Sequence, residues 1–467
     1  MEFKLLIDGK LVDGASRLPV VNPATEEIVA EASRADAAQL EQAVSAARIA
    51  QAGWGRLSYA ERRGYLERLA DRIEERGSEV ARLITLEQGK PLSEAQGEVR
   101  LTLSAIRWCA AQVLEPEILR ETGGERVSDE RFPLGVVGVI TPWNFPFMLS
   151  AQKVAPALIT GNAAILKPAP TTPLSSLLLG ELAADILPPG VFQVLVDDND
   201  LGPLMTSHPG IDMISFTGSI PTGKRVMASG SATLKRVSLE LGGNDAALIL
   251  DDADVAEIGP KVFGATMRNA GQVCIAVKRV YAPRPMVDPL CDIFAQLADE
   301  MIVGDGLEQG TQMGPVQNKA QYEKVTALIE ETREIGTLVA GGRPSEGLGY
   351  FVRPTVFRDL PPDARLIREE QFGPVIPVIA YDDVEEALAE INGTEFGLGG
   401  SVWSSDTQRA REIASRVESG TVWINRHMGL APDVPFGGAK QSGLGRQHGI
   451  EGLREYTQGR VVFTPIV

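Results

Sequence analysis

Short apolar strands alternate with helices between residues 135 and 216, and this pattern constrains the fold more than any other feature of the chain. The order strand, helix, strand predicts an α/β protein with a parallel, doubly wound sheet that binds ligands near the carboxyl ends of its strands. The predicted strands are 135–140, 163–166, 191–196 and 211–216, and the predicted helices are 148–160 and 174–187. A second α/β region is expected from Ala246 to about residue 430.

The segments before this region predict different local structure. Residues 3–30 alternate apolar and polar side chains around glycine and proline, which indicates short strands and turns. Residues 36–115 predict helices, with Ser58 as an N-cap and Gly77 as the end of a helix. The polar segment 115–132 that follows predicts a hairpin outside the main body.

Composition narrows the classes of function. The 467 residues are enough for two or three domains. With 45 basic and 62 acidic residues the formal net charge is −17, so we expect no nucleic acid and no membrane as a partner. The three histidines include no pair at metal-ligand spacing, so no metal site is predicted.

The cellular location is predicted from absences in the sequence. The odd count of three cysteines argues against a disulfide framework and for a reducing compartment. The N-terminal residues contain no apolar signal-peptide core, and no apolar run reaches the roughly 18 residues of a membrane span. We therefore expect a cytoplasmic protein.

Three polar residues in apolar surroundings are candidates for chemistry. Cys274 follows Gly271, which would let the backbone approach a ligand, and the alternative is a buried structural cysteine. Glu240 interrupts a Val/Leu run, where desolvation would raise the pKa of its carboxyl and suit a general base, unless it faces water at a strand end. Asn144 lies between two prolines, and its amide would be a rigid oxyanion donor or form an Asx turn.

Glycine-rich segments are weaker indications when taken singly. FTGS, residues 216–219, ends a predicted strand and opens a helix, but Gly218 and Gly223 do not have the spacing of the usual dinucleotide motif. Turn formation alone would explain the glycines of residues 369–374 and 435–446.

Together these segments resemble the aldehyde dehydrogenase superfamily, in its NAD(P)-dependent, non-acylating form. The resemblance runs in order over nearly the whole chain, and ordered motifs are far more specific than any one of them. The segments that carry it are TPWNFPF (141–147), Lys167-Pro168, FTGS (216–219), LELGGN (239–244), GQVCIA (271–276), EEQFGPV (369–375) and PFGGAKQSGLGR (435–446). The resemblance implies a Rossmann-type cofactor domain, an α/β catalytic domain and a small oligomerisation arm.

The resemblance also implies the roles of the catalytic residues. Cys274 would attack the aldehyde carbonyl, and the oxyanion would be stabilised by the Asn144 side chain and the Cys274 backbone N–H. Hydride would pass to the nicotinamide and leave a thioester, which water activated by Glu240 would hydrolyse. Lys153 matches a family lysine on the proton path from that base.

Cofactor contacts are likewise implied by motif position. The cofactor is NAD or NADP, with Lys167 at the adenosine ribose, the start of the helix after FTGS at the pyrophosphate and Glu370 at the nicotinamide ribose. The full predicted set is Ile140, Thr141, Trp143, Lys167, Gly202, Phe216, Gly218, Ser219, Gly223, Leu241, Glu370 and Phe372.

Three positions depart from the family pattern. Pro170 stands where many members carry a glutamate that repels the 2′-phosphate of NADP, whereas the acids of 196–200 would repel it. The first departure would permit NADP and the second would disfavour it, and we favour NAD. Gln447 replaces a glutamate that would relay the proton beyond Lys153, so a different exit route, such as bulk water, is implied.

Substrate contacts are expected from an apolar wall and from the loop Arg426–Val434. The predicted set is Phe145, Phe147, Met148, Gln152, Val273, Ile275, Arg426, His427 and Met428. The apolar members favour a medium apolar or aromatic aldehyde, while Arg426 and His427 would also suit a semialdehyde with a distal carboxylate.

The resemblance implies a homodimer or homotetramer and a division of the chain into domains. Residues 1–115 and 135–239 would form the cofactor domain, to which 431–454 return, and residues 240–430 the catalytic domain. Residues 116–134 and 455–467 would form the oligomerisation arm, which covers an otherwise exposed apolar edge strand.

Three other functions are set against this one. An acylating enzyme that uses coenzyme A would not need the water-activating Glu240. A thiol hydrolase without redox chemistry would leave the FTGS and EEQFGPV motifs without a purpose. A binding protein that only keeps the fold would have lost Cys274, Asn144 or Glu240, and all three are present.

Overall fold

Short strands and four helices make up the N-terminal part of the chain. The computed structural model describes residues 2–342 and 347–466; Met1, 343–346 and Val467, which the predicted domain ranges include, lie outside the described residues. The strands are β1 (Leu5–Ile7), β2 (Lys10–Val12), β3 (Ser16–Val21) and β4 (Ile28–Arg34), and the helices are α1 (Ala37–Trp54), α2 (Tyr59–Glu75), α3 (Gly77–Gln88) and α4 (Leu92–Ala111).

The helix ends show where local signals act. Ser58 caps α2 in a capping box with Glu61, as its sequence predicts. Gly77 does not end a helix: Arg76 closes α2, and Gly77 is the first residue of α3. Glycine stops a helix when it takes a left-handed conformation, and here it is Gly89, at φ 93°, that does so at the end of α3.

The middle of the chain forms a hairpin and then the alternating elements that the sequence predicts. The hairpin strands are β5 (Glu117–Thr122) and β6 (Glu125–Pro133). The alternating elements are β7 (Val136–Ile140), α5 (Pro146–Ile159), β8 (Ala163–Lys167), α6 (Leu174–Ala183), β9 (Phe192–Val194), α7 (Leu201–Ser207), β10 (Met213–Thr217), α8 (Ile220–Gly230) and β11 (Arg236–Glu240). Helix α6 ends four residues before the predicted position, ahead of Pro188 and Pro189.

A second run of alternating elements follows. These are β12 (Ala246–Ile249), α9 (Val255–Met267), β13 (Arg279–Pro283), α10 (Arg284–Glu300), α11 (Lys319–Arg333), β14 (Thr337–Ala340), β15 (Thr355–Arg358), α12 (Arg365–Arg368), β16 (Val375–Tyr381), α13 (Val384–Asn392), β17 (Gly399–Trp403), α14 (Thr407–Ala414) and β18 (Thr421–Ile424). The chain ends with β19 (Gly443–Leu444), α15 (Gly449–Glu455) and β20 (Thr457–Pro465).

The strands assemble into two large sheets and two small ones. The first sheet has the order β19-β11-β10-β7-β8-β9-β1-β2, with parallel pairing from β11 through β9. The second has the order β14-β15-β16-β13-β12-β17-β18, with parallel pairing from β15 through β18. The small sheets are β20-β6-β5 and β3-β4, both antiparallel. The predicted α/β fold class is confirmed.

The crossing between the two large sheets positions the site. Glu240 ends β11 of the first sheet, and Ala246 begins β12 of the second six residues later. The side chains that follow the parallel strands of the first sheet therefore lie where the two sheets approach each other. None of the helices in the described ranges combines the length and the apolar character needed to cross a bilayer.

Candidate active site

A cavity of about 450 Å³ brings together the three residues singled out for chemistry. Asn144, Glu240 and Cys274 all line it, although they come from three separate parts of the chain. Most of the remaining wall is apolar and consists of Leu101, Phe145, Met148, Leu149, Val273, Ile275, Met428, Leu430 and Phe436. An apolar wall with a few convergent polar groups is what a small-molecule site requires.

A strained turn carries Cys274 to the cavity wall. After α9 a 3₁₀ turn spans Arg268–Gly271, in which Asn269 and Ala270 have left-handed φ values of 50° and 53°. Gly271 has φ 70°, and a Cβ there would overlap the Gly373 carbonyl oxygen. Gly271 therefore allows a close approach to the backbone of Gly373, which fixes the turn that carries Cys274.

The environment of Cys274 keeps its thiol neutral. Burial raises the pKa of the thiol to about 12, with the Glu370 and Asp245 carboxyls adding to the increase and the Lys278 ammonium opposing it. The thiol is therefore protonated near neutral pH, and its proton must leave as the sulfur attacks.

The backbone and amide of Asn144 are held on several sides. Its carbonyl oxygen accepts from Lys90 Nζ at 2.8 Å and from Asn269 Nδ2 at 3.1 Å. Its Nδ2 donates one hydrogen to the Gln272 carbonyl oxygen at 3.0 Å. The other Nδ2 hydrogen has no acceptor among the described residues, so the Asn144 amide is a fixed donor on the cavity wall.

A buried ion pair holds the turn that carries Asn144. Lys90 Nζ lies 2.6 Å from Glu98 Oε2 and 3.7 Å from the centre of the Phe145 ring, and both charged side chains are inaccessible to solvent. Glu98 Oε1 accepts from the backbone N–H groups of Phe147 and Met148, each at 3.1 Å. These two N–H groups begin α5, so the carboxylate also caps that helix.

Glu240 lies at the base of the cavity as the last residue of β11. Its carboxyl is buried, and neither oxygen has a hydrogen-bond partner among the described residues. Burial raises the pKa of this carboxyl to about 8, against the opposing charges of Lys153 and Arg446. A carboxyl with such a pKa and with free oxygens fits the role of general base that the sequence analysis expects for Glu240.

Lys153 lies behind the cavity wall. Burial lowers the pKa of its ammonium to about 8, and the Glu240 carboxylate opposes that decrease. Lys153 Nζ is 3.3 Å from Ser215 Oγ, which in turn is 2.9 Å from the Tyr456 hydroxyl. The charges of Lys153 and Glu240 therefore act on each other, but Lys153 is not among the residues that line the cavity.

The predicted cofactor residues follow the strands of the first sheet. Ile140 and Thr141 follow β7, Lys167 ends β8, Phe216 lies in β10 and Leu241 follows β11. Gly218 and Ser219 precede α8, whose first N–H groups receive no side-chain cap, and a Cβ at Gly223 would lie 2.6 Å from Leu241. Exposed N–H groups at a helix start attract anions, so these residues fit a dinucleotide pyrophosphate. Trp143 and Gly202 are the remaining members on this side, in the turn before α5 and in α7.

Two further predicted cofactor residues lie in the segment between α12 and β16, which leads into the second sheet. Glu370 accepts from the Gly243 backbone N–H at 3.2 Å, and a Cβ at Gly242 would overlap the Glu370 carboxylate. Phe372 lies edge-on to Trp143, with ring centres 5.3 Å apart. This close packing of glycine backbone, carboxylate and aromatic ring beside Cys274 fits the nicotinamide half of the cofactor.

The acids near Lys167 are compensated. Asp197 lies 2.6 Å from Lys167 Nζ and also accepts from the Leu201 N–H at 2.8 Å. Asp198 and Asp200 lie 3.9 and 3.0 Å from the guanidinium of Arg34. The expected repulsion of a 2′-phosphate by these acids is therefore weaker than the sequence suggested, because each faces a cation.

The substrate residues separate into two groups. Phe145, Met148, Gln152, Val273, Ile275 and Met428 line the cavity, whereas Phe147, Arg426 and His427 do not. Arg426 donates to the carbonyl oxygens of Met428 and Gly429 and so holds its own loop. The His427 ring is inaccessible to solvent and lies 2.8 Å from Ser401 Oγ and 2.9 Å from the Ile275 carbonyl oxygen. The charge predicted for this loop is thus not in the cavity.

Several polar residues of the wall were not sequence candidates, namely Arg100, Ser104, Thr217, Arg268 and His448, whereas Gln447 was noted only as a departure from the family pattern. Gln447 and His448 line the cavity, and Gln447 Nε2 and both ring nitrogens of His448 are buried without a partner in the described ranges. Arg100 and Arg268 line it as exposed side chains. The spacing of Gly97, Arg100, Leu101 and Ser104 indicates that they share one face of α4. The sequence does not indicate that this face lines the cavity.

A thiol, an amide and a carboxyl meet on one apolar cavity beside a doubly wound sheet. This combination is typical of an enzyme that uses a cysteine nucleophile. The model of the aldehyde dehydrogenase family matches residues 11–462. The chain belongs to the aldehyde dehydrogenase family, which confirms the resemblance, the fold and the predicted class of enzyme.

Related proteins match over almost their whole length. A betaine aldehyde dehydrogenase of Rhizobium leguminosarum bv. trifolii is 39% identical, covering 98% of this chain and 96% of that protein. A geranial dehydrogenase of Castellaniella defragrans is also 39% identical, covering 96% and 95%. Among solved structures, an aldehyde dehydrogenase from Bacillus cereus has a TM-score of 0.97 at 36% identity, covering 100% and 97%. A betaine aldehyde dehydrogenase from Staphylococcus aureus in complex with NAD+ has a TM-score of 0.96 at 31% identity, covering 100% and 95%.

Proposed function

We propose that this enzyme oxidises an aldehyde to the carboxylic acid with NAD(P)+, through a thioester on Cys274. The observation that carries the proposal is the convergence of Cys274, the free N–H of Asn144 and the unpartnered carboxyl of Glu240 on one cavity. Each of the three groups has one task in this chemistry, and none of the tasks needs a metal or a histidine.

The reaction begins at the sulfur. The Cys274 thiol ionises to the small extent that its pKa allows and releases its proton to bulk solvent, and the thiolate sulfur attacks the aldehyde carbonyl carbon. The Asn144 side chain and the Cys274 backbone N–H stabilise the resulting oxyanion. A bound nicotinamide, held by the residues at the ends of the parallel strands and by Glu370 and Phe372, would supply the hydride acceptor for this chemistry, and the carbon attached to Cys274 would then be a thioester.

Hydrolysis of the thioester depends on Glu240. Its carboxylate takes a proton from water as the water oxygen attacks the thioester carbonyl, and the Cys274 sulfur leaves and regains a proton. The carboxylic acid is released. Lys153 stabilises the carboxylate form of Glu240 by its charge and so keeps the base available.

NAD+ is the favoured cofactor. Lys167 and Arg34 are both engaged by aspartates, and Pro170 is uncharged, so neither of these two cations is free to bind a 2′-phosphate. The Staphylococcus aureus relative is described with NAD+. The residues that would hold the cofactor are those at the ends of β7, β8, β10 and β11, together with Glu370 and Phe372.

The apolar wall supports a medium apolar or aromatic aldehyde as substrate. Phe145, Met148 and Met428 supply aromatic and flexible thioether contacts beside the reacting sulfur. An acylating enzyme remains the second candidate, but a buried carboxyl with free oxygens beside the thiol favours hydrolysis.

A panel of aldehydes tests the proposal directly. Formation of the reduced nicotinamide is measured with NAD+ and with NADP+, and the carboxylic acid is quantified in the same reactions. We expect reduced cofactor and acid in equal amounts, with a higher kcat/KM for NAD+. The absence of reduced cofactor with every aldehyde would contradict the proposal, and a requirement for coenzyme A would favour the acylating enzyme.

The arm supports an oligomer. We propose a homodimer or homotetramer, because β20 forms an edge of the small sheet and exposes Val461 and Phe463 there. We retain the domain division given above, which is supported by the membership of β11, β12, β19 and β20 in their sheets. The free thiols of all three cysteines support the cytoplasm as location.

A further inference from the structure

Two arginines on the rim of the cavity have no part in the proposed mechanism. Arg100 lies on α4, and Arg268 begins the turn that leads to Cys274; both side chains are exposed and both line the cavity. Neither guanidinium forms an ion pair or a hydrogen bond with any residue in the part of the chain that the structure describes. The Arg268 charge opposes the rise in pKa that burial gives the Glu94 carboxyl, so Arg268 is partly compensated. In a chain with a net charge of −17, two exposed guanidinium groups nevertheless place positive charge on the wall of this cavity.

The two arginines lie on neighbouring elements. Glu94 Oε1, on the first turn of α4, accepts from the Asn269 backbone N–H at 3.3 Å, which sets the start of α4 against the residue after Arg268. Arg100 lies six residues beyond Glu94, which is about 9 Å along the helix axis. Both arginines line the same cavity, so one ligand held there could contact the two side chains.

The rest of the cavity explains why the charges lie at the rim. Cys274 and Asn144 mark the part of the wall where the aldehyde would react, Phe145 and Met148 are apolar residues of the same wall, and Arg100 and Arg268 are its exposed cations. A substrate that fills the cavity would thus present its aldehyde to the sulfur, an apolar middle to these side chains and its far end to the two arginines.

We infer that Arg100 and Arg268 bind a carboxylate at the far end of the substrate, so that the preferred aldehyde has an apolar middle and an anionic end. The guanidinium group has a planar donor arrangement that matches a carboxylate with two parallel hydrogen bonds. The inference rests on the proposed function and deepens it. It also transfers the role that the sequence suggested for Arg426 to two other arginines.

A matched pair of substrates tests the inference. para-Formylbenzoate and para-tolualdehyde differ in having a carboxylate or a methyl group opposite the aldehyde. We expect wild-type enzyme to have a kcat/KM at least about 10-fold higher for para-formylbenzoate, which is the effect of one charge-assisted pair. Added salt should lower this ratio, because the rim charges are exposed.

Substitution of each arginine tests which side chain is responsible for the substrate preference. Arg100→Gln and Arg268→Gln should each lower the ratio of kcat/KM for the two substrates about 10-fold, through the KM for para-formylbenzoate, and Arg100→Lys should restore part of it. Arg411→Gln is the matched control, since Arg411 is an exposed arginine on α14 outside the cavity and in no ion pair with a described residue. Its ratio should equal that of the wild type.

The outcomes separate this inference from the proposed function. Wild-type enzyme that oxidises para-tolualdehyde as well as para-formylbenzoate, or a double variant with an unchanged ratio, overturns the inference alone. Failure to oxidise any aldehyde of the panel overturns the proposed function instead.

Discussion

Glu87 and Glu240 are both buried glutamates, and burial raises the pKa of each carboxyl to about 8. Their partners differ. Glu87, on α3, accepts from the backbone N–H groups of Leu174 at 2.6 Å and Ser175 at 3.0 Å, and so caps α6 from a distance in sequence. Glu240 has no hydrogen-bond partner among the described residues and lines the cavity.

This difference shows how to separate a structural from a functional carboxyl. Burial alone gives both groups the same pKa, so a shifted pKa does not identify the base. The hydrogen bonds identify it: a carboxylate whose oxygens are occupied holds a helix in place, whereas one with free oxygens can take a proton from water. The three cysteines show the same contrast, because burial raises the pKa of every thiol and only Cys274 lies on the cavity.

The largest expected effect tests whether the position of a cysteine on the cavity wall decides its function. Cys274→Ala should lower aldehyde turnover by at least about 10⁴-fold, because no other group on the wall can form the thioester. Cys291→Ala is the control, since that thiol is buried against α9 and α10, and it should retain turnover. Steady-state rates with NAD+ check both, and a Cys274→Ala variant with a tenth of wild-type activity would break the comparison.

Glu240→Gln should slow hydrolysis of the thioester by about 10²- to 10⁴-fold, because glutamine cannot accept the proton of water. A burst of reduced cofactor, equal to the enzyme concentration, should remain. Glu87→Gln should leave the turnover rate unchanged. Rapid-mixing measurements separate the burst from the steady state, and equal steady-state rates for Glu240→Gln and wild type would remove Glu240 from its assigned role.

The pH dependence of the same step follows from the pKa of Glu240. Only the carboxylate form is a base, so the hydrolysis rate of wild-type enzyme should rise with pH and level off above about 8. A hydrolysis rate that is independent of pH from about 6 to about 9 would contradict the role of this carboxyl.

Glu240 should contribute to the pH dependence of the free energy of unfolding. A carboxyl with a pKa of about 8 when folded and about 4.5 when unfolded stabilises the fold below the lower value. That contribution is lost as the pH rises towards about 8, by a few kcal/mol at most. Urea unfolding should therefore show a smaller loss of stability with rising pH for Glu240→Gln than for wild type. Parallel curves for the two proteins would mean that this carboxyl titrates normally.

The smallest expected effect concerns Glu87. Glu87→Gln retains one carbonyl oxygen for two backbone donors, so the free energy of unfolding should fall by about 1–3 kcal/mol. Because Glu240 accepts no hydrogen bond, Glu240→Gln should show no such loss near neutral pH. Thermal unfolding of the two variants side by side checks the difference, and the reverse order of stability would contradict the hydrogen bonding described for these carboxyls.

The sequence alone determined the fold class, the family and the three central candidates. Apolar periodicity indicates which segments are strands and helices. The ordered motifs indicate which residues take part in the chemistry. The sequence left open whether Glu240 is buried or faces water at a strand end, and the structure shows that it is buried at the end of β11.

Contacts between distant residues were decided only by the tertiary structure. The pair Lys90–Glu98 supports Asn144 from some 50 positions away, and neither charge differed in sequence from a solvated surface residue. Arg100 and Arg268 could not be distinguished from other exposed arginines until α4 and the turn before Cys274 came to border one cavity. Arg426, which its loop motif favoured, binds carbonyl oxygens of its own loop instead. Pattern along the chain specifies local structure and reaction type, whereas substrate choice depends on side chains that only folding brings to the same opening.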